Sequence, residues 1–171
     1  MHYVRIMRTW FTSDLHFGHR NIIGYCGRPW GTVEAMNAGL IEGWNAVVAP
    51  EDRVYVLGDF SLHGRADAVA MWLGMLKGEK HLVRGNHDDK RTYRNPVLVG
   101  WASVSLSLDL SVDGVNVRLN HHPLVDWRGP RLLLHGHSHS KSPKTGDFSF
   151  DVGVDANGYR PQLVSKFSGM V

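Results

Sequence analysis

The chain of 171 residues is 43% hydrophobic and 20% charged with a formal net charge of +3, a composition that excludes a disordered polyelectrolyte and predicts one globular domain over residues 1–171. Its single cysteine, Cys26, excludes an internal disulfide and a structural zinc site built on several thiolates. No stretch offers the roughly 18 unbroken apolar residues of a membrane span, and residues 1–10 lack the apolar segment and cleavage site of a secretory signal, so a cytoplasmic protein is expected.

In chain order, β-branched and aromatic runs at 9–12, 53–57 and 81–84 read as buried strands, each running directly into a turn that bears Gly, Asp or His. Between the first two, Thr32 is placed to cap a helix whose apolar residues Met36, Leu40, Trp44 and Val47 recur at helical spacing, and Pro50 ends it. Between the second and third, Val69, Trp72, Leu73 and Leu76 form another stripe, closed at Gly78. Strands alternating with helices predict βαβ units and a mostly parallel sheet. Beyond residue 100 the pattern changes to strands at 103–110, 115–120, 132–135, 148–152 and 162–165, with Asp113-Gly114 as a hairpin turn. These supply a second sheet, and pattern alone leaves open a four-layer sandwich or one large mixed sheet.

Five polar clusters stand at the predicted strand ends. In Ser13-Asp14-Leu15-His16, an extended chain would point Asp14 and His16 to one side, where they reach one ion together. In Gly58-Asp59-Phe60, glycine lets the backbone come close to whatever the carboxylate binds, and Asp59 is suited to bridging. Gly85-Asn86-His87-Asp88 sets an amide, an imidazole and a carboxylate in succession, and Asn120-His121-His122-Pro123 and Gly136-His137-Ser138-His139 complete the set. Each cluster alone reads as turn chemistry or a structural histidine. Five together, in a chain with 11 histidines, point to a metal site. Imidazole, carboxylate and amide donors without thiolate suit Mn²⁺, Fe²⁺, Ni²⁺ or Zn²⁺ rather than a calcium cage or an iron–sulfur cluster.

The series D-x-H, G-D, G-N-H-D, a His before x-Pro, and G-H-x-H, running in that order from Asp14 to His139, resembles the calcineurin-like metallophosphoesterases. The stretches SDLHFGHRNII and VYVLGDF look like the small bacterial and phage-borne members of that family. The resemblance implies an α/β fold, a four-layer α-β-β-α sandwich of two mixed sheets, around two divalent ions with Mn²⁺ the first expectation. One ion would be held by Asp14, His16, Asp59 and His139, the other by Asp59, Asn86, His121 and His137, with Asp59 bridging. It further implies a catalytic role for His87 at the leaving oxygen, Asp88 holding and polarising His87, and attack by metal-activated hydroxide.

The expected activity is hydrolysis of a small phosphate ester, first of all a phosphodiester such as a cyclic nucleotide, including 2′,3′-cyclic forms, because the chain is short and lacks an obvious lid. The alternatives are a phosphomonoesterase, protein phosphatases included, and a non-catalytic module whose metal serves folding or partner binding. Neither a membrane nor a stable nucleic-acid complex is expected as a partner. His19, His122 and His135 flank proposed ligands and read as supporting or structural residues. Arg28, Lys90, Arg91, Arg94, Arg128 and Arg131 read mostly as solvated charge with the capacity to grip phosphate. Trp44 and Trp72 fall on helix stripes and read as core, whereas Trp30 and Trp127 are candidates for stacking on a nucleobase.

Overall fold

Strands form where large apolar side chains alternate so that both faces are buried. In β1 (Thr9–Thr12), β2 (Arg53–Val56) and β3 (Glu79–Val83), Trp10, Val54, Val56 and Leu82 pack beneath helices, while Phe11, Tyr55 and Val83, joined by Leu57, face a second sheet. The computed structural model describes residues 6–62, 65–88, 96–125, 127, 132–141 and 146–169. β1, β2 and β3 pair in parallel, β4 (Ser103–Ser105) extends the sheet beyond β3, and β9 (Gln162–Leu163) closes the other edge antiparallel to β1.

Parallel neighbours need crossovers, and helices supply them. The helix α1 (Arg20–Cys26) precedes α2 (Val33–Val47), and α3 (Ala66–Met75) joins β2 to β3. Thr32 caps α2 as its spacing predicts, accepting the Ala35 N–H at 3.2 Å. Met36, Leu40 and Trp44 are its buried stripe, but Val48, one residue past the helix, is buried where Val47 is only half-buried. The short α1 buries just Ile22, which leaves almost no periodicity for the sequence to reveal. Among the described residues no helix is long and apolar enough to cross a membrane.

The second sheet has the order β5-β6-β7-β8, comprising β5 (Ser107–Val112), β6 (Val115–Asn120), β7 (Leu132–His135) and β8 (Ser149–Asp151). β5 and β6 form the predicted hairpin, with Asp113 (φ 51°) and Gly114 (φ 78°) both left-handed, as the favoured two-residue turn requires. β6, β7 and β8 pair in parallel, so this sheet too is mixed. The single strand expected over 103–110 is in fact two, broken at the exposed Leu106, with β4 in the first sheet and β5 in the second. The alternation of polar with apolar residues runs unbroken through both, so periodicity conceals the change of sheet. The strand expected over 162–165 stops at Leu163, and Ser165–Ser168 turns into helix.

The sheets meet face to face through Phe11, Tyr55, Leu57 and Val83 on one side and Val117, Leu119, Leu132 and Leu134 on the other. This is the expected sandwich of two mixed sheets. The long helices α2 and α3 cover the outer face of the first sheet, and on the outer face of the second Arg118 lies 5.3 Å over the ring of Trp127.

Candidate metal centre

The parallel strands end at one edge of the sandwich, and backbone bonds stitch their continuations together. Asp14 N–H donates to Gly58 O at 3.1 Å, His16 N–H to Asp59 O at 3.0 Å, and Gly136 N–H to His121 O at 2.9 Å. All five polar clusters therefore arrive at one place. They do so by a route other than the expected extended chain. Asp14 (φ 58°), His16 (54°), Asp59 (52°), His137 (67°) and His139 (47°) are all left-handed, a conformation costing a non-glycine residue about 1–3 kcal/mol. The turn at Asp14 and His16 aims both side chains at one point, shared with His139, whereas the turn at His137 and His139 divides its two rings between that group and the one around His121. Two glycines permit the close approach. A Cβ at Gly85 would lie 2.2 Å from Asp59 Oδ1, and one at Gly136 would lie 2.5 Å from Asp14 Oδ2.

Asp59 Oδ2 lies at the middle of the cluster, 3.6 Å from His16 Nε2 and 3.5 Å from His121 Nε2. Asn86 Oδ1 is 3.0 Å from both His121 Nε2 and His137 Nδ1. His121 Nδ1 donates to Leu57 O at 2.7 Å, which fixes the tautomer of the neutral ring and leaves Nε2 as a lone pair aimed at two oxygen acceptors. Lone pairs facing one another repel unless a cation stands between them. His16 makes the same case by another route: it is 1% exposed, and among the described residues neither ring nitrogen has a hydrogen-bond partner. Burying such groups unpaired costs free energy that coordination would recover. The donor atoms of Asp14, His16 and His139 lie within 4.8 Å of one another, as do those of Asp14, Asp59 and His121. These residues fit a pair of divalent ions.

The electrostatics agree. Burial, reinforced by Asp59 and Asp151, pushes the Asp14 carboxyl well above the usual carboxylate range. Burial also pushes His16 down to about 2, with help from His139 and Arg28, and His121 down to about 4. The cluster thus holds neutral imidazoles at His16 and His121 ready to donate, beside the Asp14 carboxylate whose charge protein groups compensate poorly, and a cation answers both conditions.

Around this cluster the structure departs from expectation in two places. Asp88 accepts hydrogen bonds from Gly85 N–H at 2.7 Å and from Asp59 N–H and Phe60 N–H at 3.0 Å, and among the described residues none joins it to His87. Strand-end amides claim the carboxylate because they have no ladder partner of their own. Asp88 therefore holds the turn that carries Asp59, in place of the expected role of holding and polarising His87. Burial pushes its carboxyl up to about 6. The His87 N–H donates to Asp59 Oδ1 at 2.9 Å, and its side chain is 40% exposed with Nε2 4.0 Å from Asp59 Oδ2.

Arg28 is the second departure. Expected as surface charge, it is buried, donating to Asp14 O at 2.7 Å and Leu15 O at 2.9 Å and gripping Asp155 with two bonds of 2.8 and 2.9 Å. Asp155 also accepts from His139 Nδ1 at 2.7 Å, orienting that ring as outer carboxylates orient metal-binding histidines. Sequence reading missed Asp155, since Val-Asp-Ala-Asn-Gly looks like ordinary turn chemistry. Lys90, Arg91, Arg94, Arg128 and Arg131 lie outside the described residues. Trp30 is half-buried, packing 4.6 Å from the Tyr159 ring and against Gly39 of α2, so its ring serves packing against the core instead of standing free as a base platform. His135 is buried with Nδ1 3.0 Å from Gly136 O, and His19 sits at the start of α1 with its ring 5.3 Å from that of His16.

A family model described as calcineurin-like phosphoesterase matches residues 7–141. An uncharacterized protein of Methanocaldococcus jannaschii is 33% identical over 165 residues, covering 90% of this chain and 85% of that protein. The gene 66 protein of Mycobacterium phage D29 is 35% identical over 179 residues, covering 86% of this chain and 87% of its own. Among solved structures, a protein of unknown function from Aquifex aeolicus has a TM-score of 0.77 at 23% identity, covering 97% of this chain and 100% of that one. A novel archaeal phosphodiesterase has a TM-score of 0.50 at 13% identity, covering 86% and 82%. At these identities the two structures show a shared fold.

Proposed function

Since the chain belongs to the calcineurin-like phosphoesterase family, a family of metal-dependent hydrolases, we propose that it acts as a single domain over residues 1–171 that hydrolyses small phosphodiesters at a dinuclear centre. The observation that carries the reading is Asp59 Oδ2, within 3.6 Å of ring nitrogens from both His16 and His121. Asp14, His16, Asp59 and His139 would hold one ion, and Asp59, Asn86, His121 and His137 the other. When bound, such a pair supplies Lewis acidity, attraction for the phosphate anion and activation of water at neutral pH.

The remaining work falls to the chain's own residues. His87, partly exposed beside Asp59, holds a proton at Nε2 for the departing oxygen. Asp88 is a positioning residue: its three backbone bonds fix the peptides on which Asp59 and Asn86 are carried. A diester brings an organic group on each side of phosphorus and needs an open approach. Asn86, His122 and His137 are exposed, which suits diesters, cyclic nucleotides with 2′,3′-cyclic forms among them.

The test is metal-free protein reloaded with Mn²⁺, Fe²⁺, Ni²⁺ or Zn²⁺ and assayed on bis(p-nitrophenyl) phosphate against p-nitrophenyl phosphate, then on cyclic nucleotides. Activity should vanish with chelator, return first with Mn²⁺, and be faster on the diester. Faster monoester turnover would make the protein a phosphomonoesterase, and turnover undiminished by complete demetallation would overturn the metal reading.

A further inference from the structure

His122 lies beside the centre without belonging to either proposed ligand set. It is exposed, and its ring centroid is 4.3 Å from that of His137 and 4.8 Å from that of His121. Donor nitrogens of the three rings lie within 4.8 Å of one another. Donors on one zinc ion each stand about 2.0–2.1 Å from it, so a modest rotation of the exposed His122 and His137 rings toward the buried His121 gathers all three. The backbone holds the ring's root in place. Asn120 Nδ2 donates to His122 O at 2.7 Å, and Pro123 restricts the residue before it to extended conformations.

The two sides of the cluster differ in donor chemistry once His122 is counted. On the Asp14 side stand the two carboxylates Asp14 and Asp59 with two imidazoles. On the other side His121 and His137 each stand 3.0 Å from Asn86 Oδ1, with His122 beside those two rings and Asp59 shared. Carboxylate oxygens suit Mn²⁺, whereas imidazole nitrogens favour zinc and nickel. We infer that His122 joins His121 and His137 as a third imidazole at the second ion and makes the centre asymmetric, with a harder ion on the Asp14 side and a nitrogen-preferring ion such as Zn²⁺ on the His122 side. The assignment rests on the dinuclear reading above and deepens it.

Binding measurements separate the two claims without recourse to activity. Metal-free wild type, His122→Ala and His122→Asp are each titrated with Zn²⁺ alone and with Mn²⁺ alone, following stoichiometry and affinity. Wild type should bind two ions. His122→Ala should weaken Zn²⁺ at one of two sites by about tenfold or more, the scale on which supporting groups act, while Mn²⁺ binding changes little. His122→Asp, which puts an oxygen donor in the same place, should shift preference further toward Mn²⁺. Zinc affinity unchanged in both variants would overturn the third-imidazole assignment. Wild type binding fewer than two ions would instead overturn the dinuclear reading beneath it.

Discussion

The two halves of the chain bring different chemistry to the same edge of the sandwich. Among the candidate ligands, residues up to 88 supply both carboxylates, the amide and one deeply buried imidazole through Asp14, Asp59, Asn86 and His16, whereas those from 120 onward, His121, His137 and His139, are imidazoles alone. Burial accounts for the division. Asp14 and Asp59 are 0% and 1% exposed, and a carboxylate so placed needs N–H donors fixed by packed backbone. Asp14 receives the His137 N–H at 2.9–3.1 Å and Asp59 the His87 N–H at 2.9 Å. Neutral imidazoles carry no such requirement and can stand at the rim, as the exposed His137 does. The lesson is that the site is completed only by docking one sheet on the other, so metal binding and sheet packing should be coupled.

Asp59→Asn breaks that coupling most severely, because this carboxylate lies within 3.6 Å of ring nitrogens from each half. Bound metal should fall at both sites, and activity should drop by more than the roughly 10–100-fold that loss of an outer supporting group costs. His87→Ala is the contrasting change: metal content should hold, and substrates with poor leaving groups should suffer most. Metal analysis of the two purified variants decides the matter, since equal metal loss in both would contradict the roles assigned here.

Legibility in the sequence also divides unevenly. Asp14, His16, Asp59, Asn86, His121, His137 and His139 stand out because each belongs to a short motif at the end of an apolar strand. Convergence is then a matter of strand direction, which βαβ alternation announces. The left-handed turns that aim Asp14 and His16 were not legible, since an apolar strand followed by a polar pair looks the same whether the chain stays extended or turns. Arg28 and Asp155 are 127 positions apart, and nothing local to either residue announces the other. Asp88 was visible, but its partners are backbone amides, which the sequence does not distinguish. The break between β4 and β5 escaped for a related reason: where a strand changes sheet is set by packing, and alternation of side chains continues across the join.

Asp155→Asn probes the long-range pair directly. The Arg28 side chain is 0% exposed and that of Asp155 5%, so the substitution strands a buried guanidinium, at a cost on the order of 3–5 kcal/mol. It also weakens the acceptor that orients His139, and metal affinity should fall about 10–100-fold. Denaturant unfolding of the metal-free variant reads the first effect and metal titration the second. Loss of affinity with stability intact would mean that Asp155 serves His139 alone.

Acid should act on the two halves together. His16 and His121 are pushed down to about 2 and about 4 from an ordinary value near 6.5, so the unfolded chain takes up protons that the folded one refuses. Their contribution to stability is therefore present above pH 6.5 and is lost as pH falls toward 4 and then 2, at up to about 1.4 kcal/mol per pH unit for each group. Asp88, pushed up to about 6, works in the opposite sense: its contribution is full below about 4 and is lost as pH rises through 6. The clean readout is therefore the rings themselves. In metal-free protein, nuclear magnetic resonance should show His16 and His121 still neutral at pH 5, and titration of either near 6.5 would show that burial does not govern the site.

The smallest effect belongs to a residue of the first half that stands apart from the centre. Thr32→Ala removes the acceptor for the Ala35 N–H at the start of α2 and should cost about 1 kcal/mol, equally in metal-free and metal-loaded protein, with two ions still bound. Thermal melts in both states check it. A loss that grows when metal is present would locate a path from the helix to the site. The structure offers one: Met36, in the first turn of α2, accepts from Arg28 Nη1 at 3.4 Å through its sulfur, and Arg28 holds the Asp14 turn. A difference between the two melts would therefore show that the helical layer helps to aim the ligands of the first half, while identical losses would confine α2 to covering the sheet.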